Sequence, residues 1–283
     1  MTTLANIRAE GTSVPPPARN TTGALRIEGI SKEFRRGGRV TRALQDVTLD
    51  VTPGEFLCVL GPSGCGKSTL LHIIGGFERA SAGEVLLDGE PVRRPSRDLG
   101  MVFQHGALFP WKTVVDNVAW PMRAAGTRRR AARQEAMEYV ELVGLGGFER
   151  SYPGELSGGM RQRAALARTL AMRPRVLLMD EPFGALDAQT RELMQEELNR
   201  IWNATGMTVV FITHDINEAV FLGDRVVVMG ARPGRIVHDE PVLLPRPRTA
   251  EVKKDVRLME QHNRLWDILR AEIGSPGRGR GTS

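Results

Sequence analysis

The stretch FLCVLGPSGCGKST, Phe56 to Thr69, constrains the fold of this chain more than any other. Five consecutive apolar residues predict a strand buried on both faces, and TLLHIIGGF beyond the loop has helical spacing. Between them Gly61, Gly66, Lys67 and Ser68 satisfy the pattern GxxxxGK[ST]. A strand running through a glycine loop into a helix is a phosphate cradle. Glycines let the backbone wrap closely, while amides and the helix N-terminus turn partial positive charge toward the anion. Gly61, Pro62, Ser63, Gly64, Cys65 and Gly66 are expected to supply that backbone. Lys67 is expected on the outer phosphates, the Ser68 hydroxyl on Mg2+, and Thr69 on an inner phosphate.

Two further strands end in polar groups. RVLLMDE places Asp180 and Glu181 at the carboxyl end of a buried strand, and VVFITH does the same for His214. Open parallel sheets bind ligands at that edge. Asp180 is read as a Mg2+ holder through water, and Glu181 as the group that polarises the attacking water. His214 is placed to contact the same terminal phosphate. Glu181, His214 and Lys67 are thus the expected catalytic residues. LSGGMRQR is a polar glycine turn opening a helix, so Ser157, Gly158 and Gly159 offer amides and a hydroxyl to a second anion.

The rest of the chain divides by pattern. Residues 1–24 are polar, lack the apolar segment of a secretion signal, and read as a flexible leader. Alternation at Leu25, Ile27, Val47, Leu49 and Val51 predicts antiparallel strands with one wet face, and Asp88-Gly89 predicts a hairpin turn. Thr113 to Val143 is mostly helical in pattern, with the run Arg128, Arg129, Arg130 read as a solvated helix start. The strands VLLMD, VVFIT and RVVVMG, separated by helical stretches, indicate a parallel sheet. Near the end, Val252, Val256, Met259, Trp266 and Ile273 fall at helical intervals behind a cap at Thr249, predicting a helix packed on the body by that face. The last residues, 275–283, have no apolar content and are expected to be disordered.

With 283 residues, 41% of them hydrophobic, the chain can bury one large core or two modest ones. The apolar runs of four or five residues are far short of the roughly 20 that a membrane helix needs. A formal charge of +6 fits nucleic acid, an anionic membrane surface, or simply a basic proteome. Cys58 and Cys65 lack the spacing and histidines of a zinc site and fit a reducing cytosol.

With LSGG upstream of Asp180 and downstream of Lys67, the chain resembles the ATP-binding subunit of an ABC transporter, over roughly Leu25 to Pro241. The resemblance implies an α/β P-loop NTPase: a parallel core sheet, an antiparallel β subdomain, and an inserted helical subdomain at about 105–168. The ATPase domain then spans 25–241, followed by an extension at 242–274 with an amphipathic helix. Phe34 matches the aromatic that stacks on adenine. Gln104 matches the glutamine loop that touches Mg2+, and Asp187 matches the loop across the subunit interface. His214 matches the switch histidine. Met160 departs from the glutamine more usual there.

In this family two subunits pair head to tail, and each lends its LSGG to the other's ATP. The implied partners are a second copy, transmembrane permease subunits and an external solute-binding protein, with no nucleic acid. The implied place is the cytoplasmic face of the inner membrane. Leu108, Phe109 and Trp111 read equally as core packing and as part of a cleft for a permease helix. That segment, with PFGALDAQTRELMQEEL, THDINEAVFLGDRVVVMGARPGRI and LPRPR, is similar to the nitrate, sulfonate and taurine importer branch, implying a small oxyanion as cargo. The alternatives are import of a different small solute, and a soluble ABC-type ATPase acting on nucleic acid, against which the single cassette and absence of sustained heptads speak. A simple P-loop kinase or switch would leave LSGGMRQR and His214 without a role.

Overall fold

The computed structural model describes residues 21–104 and 106–274. Most of the expected leader and the tail from Ser275 lie outside the described residues. In chain order, β1 (Leu25–Arg36), β2 (Arg39–Val51) and β3 (Phe56–Leu60) precede α1 (Lys67–Ile74). The short strands β4 (Ala82–Leu87), β5 (Glu90–Pro91) and β6 (Leu99–Val102) lead to the helices α2 (Val114–Ala124), α3 (Arg129–Leu142) and α4 (Gly158–Leu170). Alternating elements follow: β7 (Val176–Asp180), α5 (Ala188–Thr205), β8 (Thr208–Thr213), α6 (Ile216–Leu222) and β9 (Arg225–Gly230). The strand β10 (Arg235–Pro241) and the helix α7 (Val256–Gly274) complete the order.

Two sheets result. The antiparallel one runs β2-β1-β4-β5, and β1 pairs with β2 in the register Leu25 to Val51, Ile27 to Leu49 and Ile30 to Val47. A register shift between Ile27 and Ile30 moves the alternation by one, so that Ile30 also faces inward. Asp88 and Gly89, at φ 49° and 85°, make the tight turn between β4 and β5. The Asp88 carboxylate accepts from the amides of Gly23 and Ala24, both at 2.8 Å, and pairs with Arg175. One turn residue thereby ties this sheet to the strand that carries Asp180.

The six-stranded sheet runs β10-β9-β3-β8-β7-β6, parallel from β9 to β6, with β10 antiparallel at one edge. Its five parallel strands are buried on both faces, and the alternation sorts their side chains into two cores. Phe56, Cys58, Leu177, Met179, Phe211 and Val226 point toward α2 to α7. Leu57, Val59, Leu178, Val210 and Val227 point toward α1 and the antiparallel sheet.

The C-terminal segment corrects one expectation. The Thr249 side chain accepts no capping hydrogen bond, Val252 lies in a 3-10 turn at Ala250–Lys254, and α7 begins at Val256 behind Asp255, whose carboxylate accepts from the Arg257 amide at 2.9 Å. The helix does pack on the body, by Leu258, Gln261, Leu265 and Leu269, whereas Val256, Met259 and Trp266 are exposed. Both faces of α7 are apolar enough to read as the inner one, and the neighbouring core decides between them.

Candidate active site

α1 starts one residue after Gly66, which has φ 98° and whose missing Cβ would lie 2.9 Å from the Ala43 carbonyl oxygen. Only glycine fits there. The first turn of α1 holds no acidic side chain, so its amides and positive end remain available to an anion. Cys65 lies under the loop, 1% exposed, with burial pushing its thiol up.

Lys67 is 4% exposed, and its Nζ donates to the carbonyls of Gly61 at 2.8 Å and Pro62 at 3.2 Å. The same Nζ is 3.6 Å from Glu181 Oε1, while Glu181 Oε2 lies 3.1 Å from His214 Nδ1. Ser68 Oγ donates to Asp180 Oδ1 at 3.0 Å. Five residues from three distant stretches of sequence are thus joined, because β3, β7 and β8 are neighbours and all three end at one edge. Burial raises the Asp180 carboxyl above the usual aspartate range, against the lowering effect of the Ser68 hydrogen bond. A hydroxyl and a carboxylate 3.0 Å apart, beside a phosphate loop, are hard oxygen donors of the kind Mg2+ takes together with phosphate and water. Gln104, just past β6, comes within 4 Å of the space above Gly184, beside Glu181.

Glu181 adopts φ 42°, a left-handed conformation rare for a side-chain-bearing residue. Its amide donates to Ile212 of β8 at 3.1 Å and its carbonyl accepts from Gly184 at 3.2 Å. The turn is therefore held from both sides, and its strain places the carboxylate between Lys67 and His214.

Ser157 and Asp187 form a second group. Ser157 caps α4 by accepting from the Met160 amide at 3.3 Å, and Asp187 caps α5 by accepting from the Thr190 amide at 2.9 Å. Hydrogen bonds from Thr190 hold the Asp187 carboxyl below its ordinary value. Gly158 and Gly159 open α4, and Gly159 is so close to α5 that a Cβ there would meet Thr190 Cγ2 at 2.6 Å. The bonds of this group run within its own two helix starts. Phe34 stands apart on β1, 42% exposed, with the Lys32 ammonium 4.9 Å from its ring centre.

Three contributors were not singled out from the sequence. Arg168, in the last turn of α4, donates to the carbonyls of Ala107 at 2.7 Å and Gly106 at 3.1 Å, so α4 links the LSGG turn to the loop that carries Gln104. Asn117 is fully buried and binds both backbone groups of Phe109 and the carbonyls of Lys112 and Thr113. The only sequence signal for it was a polar residue on the apolar face of VVDNVAW. It fixes a cluster in which Phe109 lies 5.7 Å from Trp111 and 5.5 Å from Trp120, at the mouth of a groove of about 610 Å³ also lined by Phe103, Pro121 and Arg97. Glu218, buried in α6, accepts from Thr213 Oγ1 at 2.6 Å and braces the turn that holds His214.

A family profile described as ABC transporter matches residues 44–184. The chain is similar to the aliphatic sulfonates import ATP-binding protein SsuB of Bacillus cereus, 46% identical over 233 residues, covering 82% of this chain and 92% of that relative. It is likewise similar to the taurine import ATP-binding protein TauB of Rhizobium johnstonii, 48% identical over 248 residues, covering 82% and 95%. Among solved structures, the ATP-binding cassette MJ0796 in a dimeric post-hydrolysis state bound to ADP and Pi aligns at TM-score 0.70 and 33% identity. That alignment covers 78% of this chain and all of the other. With the phosphate loop, the two acidic residues, the histidine and the LSGG turn arranged as described, the chain belongs to the ATP-binding, ATP-hydrolysing subunits of ABC transporters.

Proposed function

We propose that the chain powers import of a small oxyanion, of the aliphatic sulfonate, taurine or nitrate type. In this reading it works as one of two ATPase subunits held peripherally against a permease on the cytoplasmic face of the inner membrane. An external solute-binding protein delivers the cargo. The likeness to sulfonate and taurine import subunits over more than four fifths of the chain carries the reading. No helix among the described residues is long and apolar enough to cross a membrane, which fits a subunit that borrows its pore.

In the proposed cycle Phe34 stacks on adenine and the loop from Gly61 to Thr69 wraps the phosphates. Lys67 exchanges its contacts with the Gly61 and Pro62 carbonyls for the outer phosphate oxygens. Ser68, Gln104 and Asp180 hold Mg2+, which when bound neutralises charge on those oxygens. Lys67 turned to phosphate no longer competes for Glu181, leaving that carboxylate to accept a proton of the attacking water. Water oxygen bonds to the terminal phosphorus as the bond to ADP breaks, and His214 holds the phosphate while charge builds. Ser157, Gly158 and Gly159 of a second copy close the far side, with Asp187 at the interface. The Ser157 and Lys67 groups are held by different sets of hydrogen bonds, which supports that division of labour. The aromatic groove behind Phe109 receives a cytoplasmic helix of the permease.

The reading is tested by reconstituting the chain with the permease that co-purifies with it and measuring ATP-dependent uptake of labelled taurine, an alkanesulfonate and nitrate. Uptake of at least one is expected. Uptake of some other solute alone would overturn the cargo, and recovery with nucleic acid and no permease would overturn transport itself.

A further inference from the structure

α6 is seven residues long, about 10 Å at 1.5 Å per residue, and both of its ends are tied. At its start Asp215 accepts from the amides of Asn217 at 2.8 Å and Glu218 at 3.4 Å. Thr213 Oγ1 donates to Glu218 and accepts from the Asp215 amide at 3.0 Å. His214 sits inside that turn, so its position follows α6. Arg191 of α5 adds looser contacts to Glu218 at 3.7 Å and to Asp215 at 4.0 Å.

At its other end α6 is capped from 25 residues away. Gly223 follows the helix but has φ −74°, and so does not make the left-handed turn by which glycine usually satisfies the last carbonyls. Arg248 does so instead. It is 3% exposed, and its Nη1 donates to the carbonyls of Val220, Phe221 and Gly223 at 3.1, 3.2 and 2.6 Å, while Nη2 donates to Leu244 at 3.2 Å. Arg246 takes the Leu222 carbonyl at 2.5 Å and Asp224 Oδ1 at 2.8 Å. It also reaches Asn199 of α5 at 3.0 Å and lies 4.0 Å over the Trp202 ring. Asp224 in turn accepts from the amide of Phe56, the first residue of the strand that leads into the phosphate loop. Burial pushes Arg248 down to about 10, so at neutral pH it remains a cation and its charge is met by carbonyl dipoles.

We infer that the strap Leu244–Arg248 belongs to the ATPase machinery: Arg246 and Arg248 are positioning residues that fix α6 from behind and so set His214 against Glu181. This rests on the reading that His214 and Glu181 act in hydrolysis. With Arg248 loosened, α6 can shift while the phosphate loop stays in place, because Arg248 donates to the end of α6, to Gly223 and to Leu244, whereas the Asp224 contact to Phe56 is held by Arg246. The turnover rate should fall and ATP affinity should not.

The test is a double-mutant cycle on the purified full-length chain with Mg2+ and ATP. Arg248→Gln is expected to lower kcat roughly 10- to 100-fold, the scale of an ångström-size misplacement. The KM for ATP stays within about twofold, and Arg248→Lys recovers part of the rate because it keeps the charge without the fork. Combined with His214→Ala, Arg248→Gln should add nothing further, because the two changes remove one function. Full additivity, or an unchanged kcat in folded Arg248→Gln, overturns the inference. If His214→Ala alone turns over normally, the role of His214 has failed instead, and the positioning inference falls with it. Should Arg248→Gln not fold, Arg248→Lys runs through the same cycle with the same two outcomes.

Discussion

Glu181 combines a strained backbone with a side chain that meets both Lys67 and His214. Left-handed geometry costs an L-residue about 1–2 kcal/mol, and glycine avoids most of that cost. Glu181→Gly should therefore melt roughly 2–4 °C above Glu181→Ala, since both lose the contacts to Lys67 and His214 and differ only in the backbone term. Equal melting temperatures by scanning fluorimetry would remove the strain from the account. Asp180 makes a prediction of opposite kind. Its folded-state value is raised, so its stabilising contribution is complete below the ordinary aspartate range and is lost as pH climbs through the raised value. At neutral pH the ionised carboxylate costs stability in the nucleotide-free protein. Asp180→Asn should raise the nucleotide-free melting temperature by roughly 1–4 °C while abolishing hydrolysis that depends on Mg2+. A lower melting temperature would contradict the assignment of burial as the dominant cause.

At the scale of elements, α4 stands out because one end is the LSGG turn and the other grips the loop carrying Gln104 through Arg168. Its start is wedged against α5 at Gly159 and Thr190. Gly159→Ala should force the two helix starts apart and lower ATPase activity at least about tenfold, and adding Thr190→Ser, which removes the clashing methyl, should restore part of it. No recovery in the double variant would mean that the alanine acts on the partner's phosphate and leaves the packing alone. The short strands and the glycine loop were legible in the sequence because their signals are local: FLCVL is apolar throughout, and Asp88-Gly89 dictates its own turn. The face of α7 was not, because Val256, Met259 and Trp266 compete with Leu258, Leu265 and Leu269, and only the neighbouring core selects. Arg248 was equally hidden, since its partners are backbone carbonyls and a carbonyl has no letter in the sequence.

For the whole molecule, the proposed sharing of each ATP between the Lys67 group of one copy and the Ser157 group of another predicts that function requires two chains. Glu181→Gln should retain ATP, hydrolyse it orders of magnitude more slowly and elute as a dimer in gel filtration with ATP and Mg2+, while Lys67→Ala should stay monomeric. A monomeric Glu181→Gln would remove the shared site. The six-stranded sheet adds a further consequence through its two cores. Cys58 belongs to one and Cys65 to the other; the Cys58 sulfur lies beside Gly223, whose carbonyl Arg248 holds, and Cys65 lies beneath the phosphate loop. Burial raises both thiols, so neither reacts until its cover opens. The unmodified chain therefore contains two native clocks: alkylation of Cys65 should slow when ATP closes the loop, while alkylation of Cys58 should keep time with the loosening of the strap.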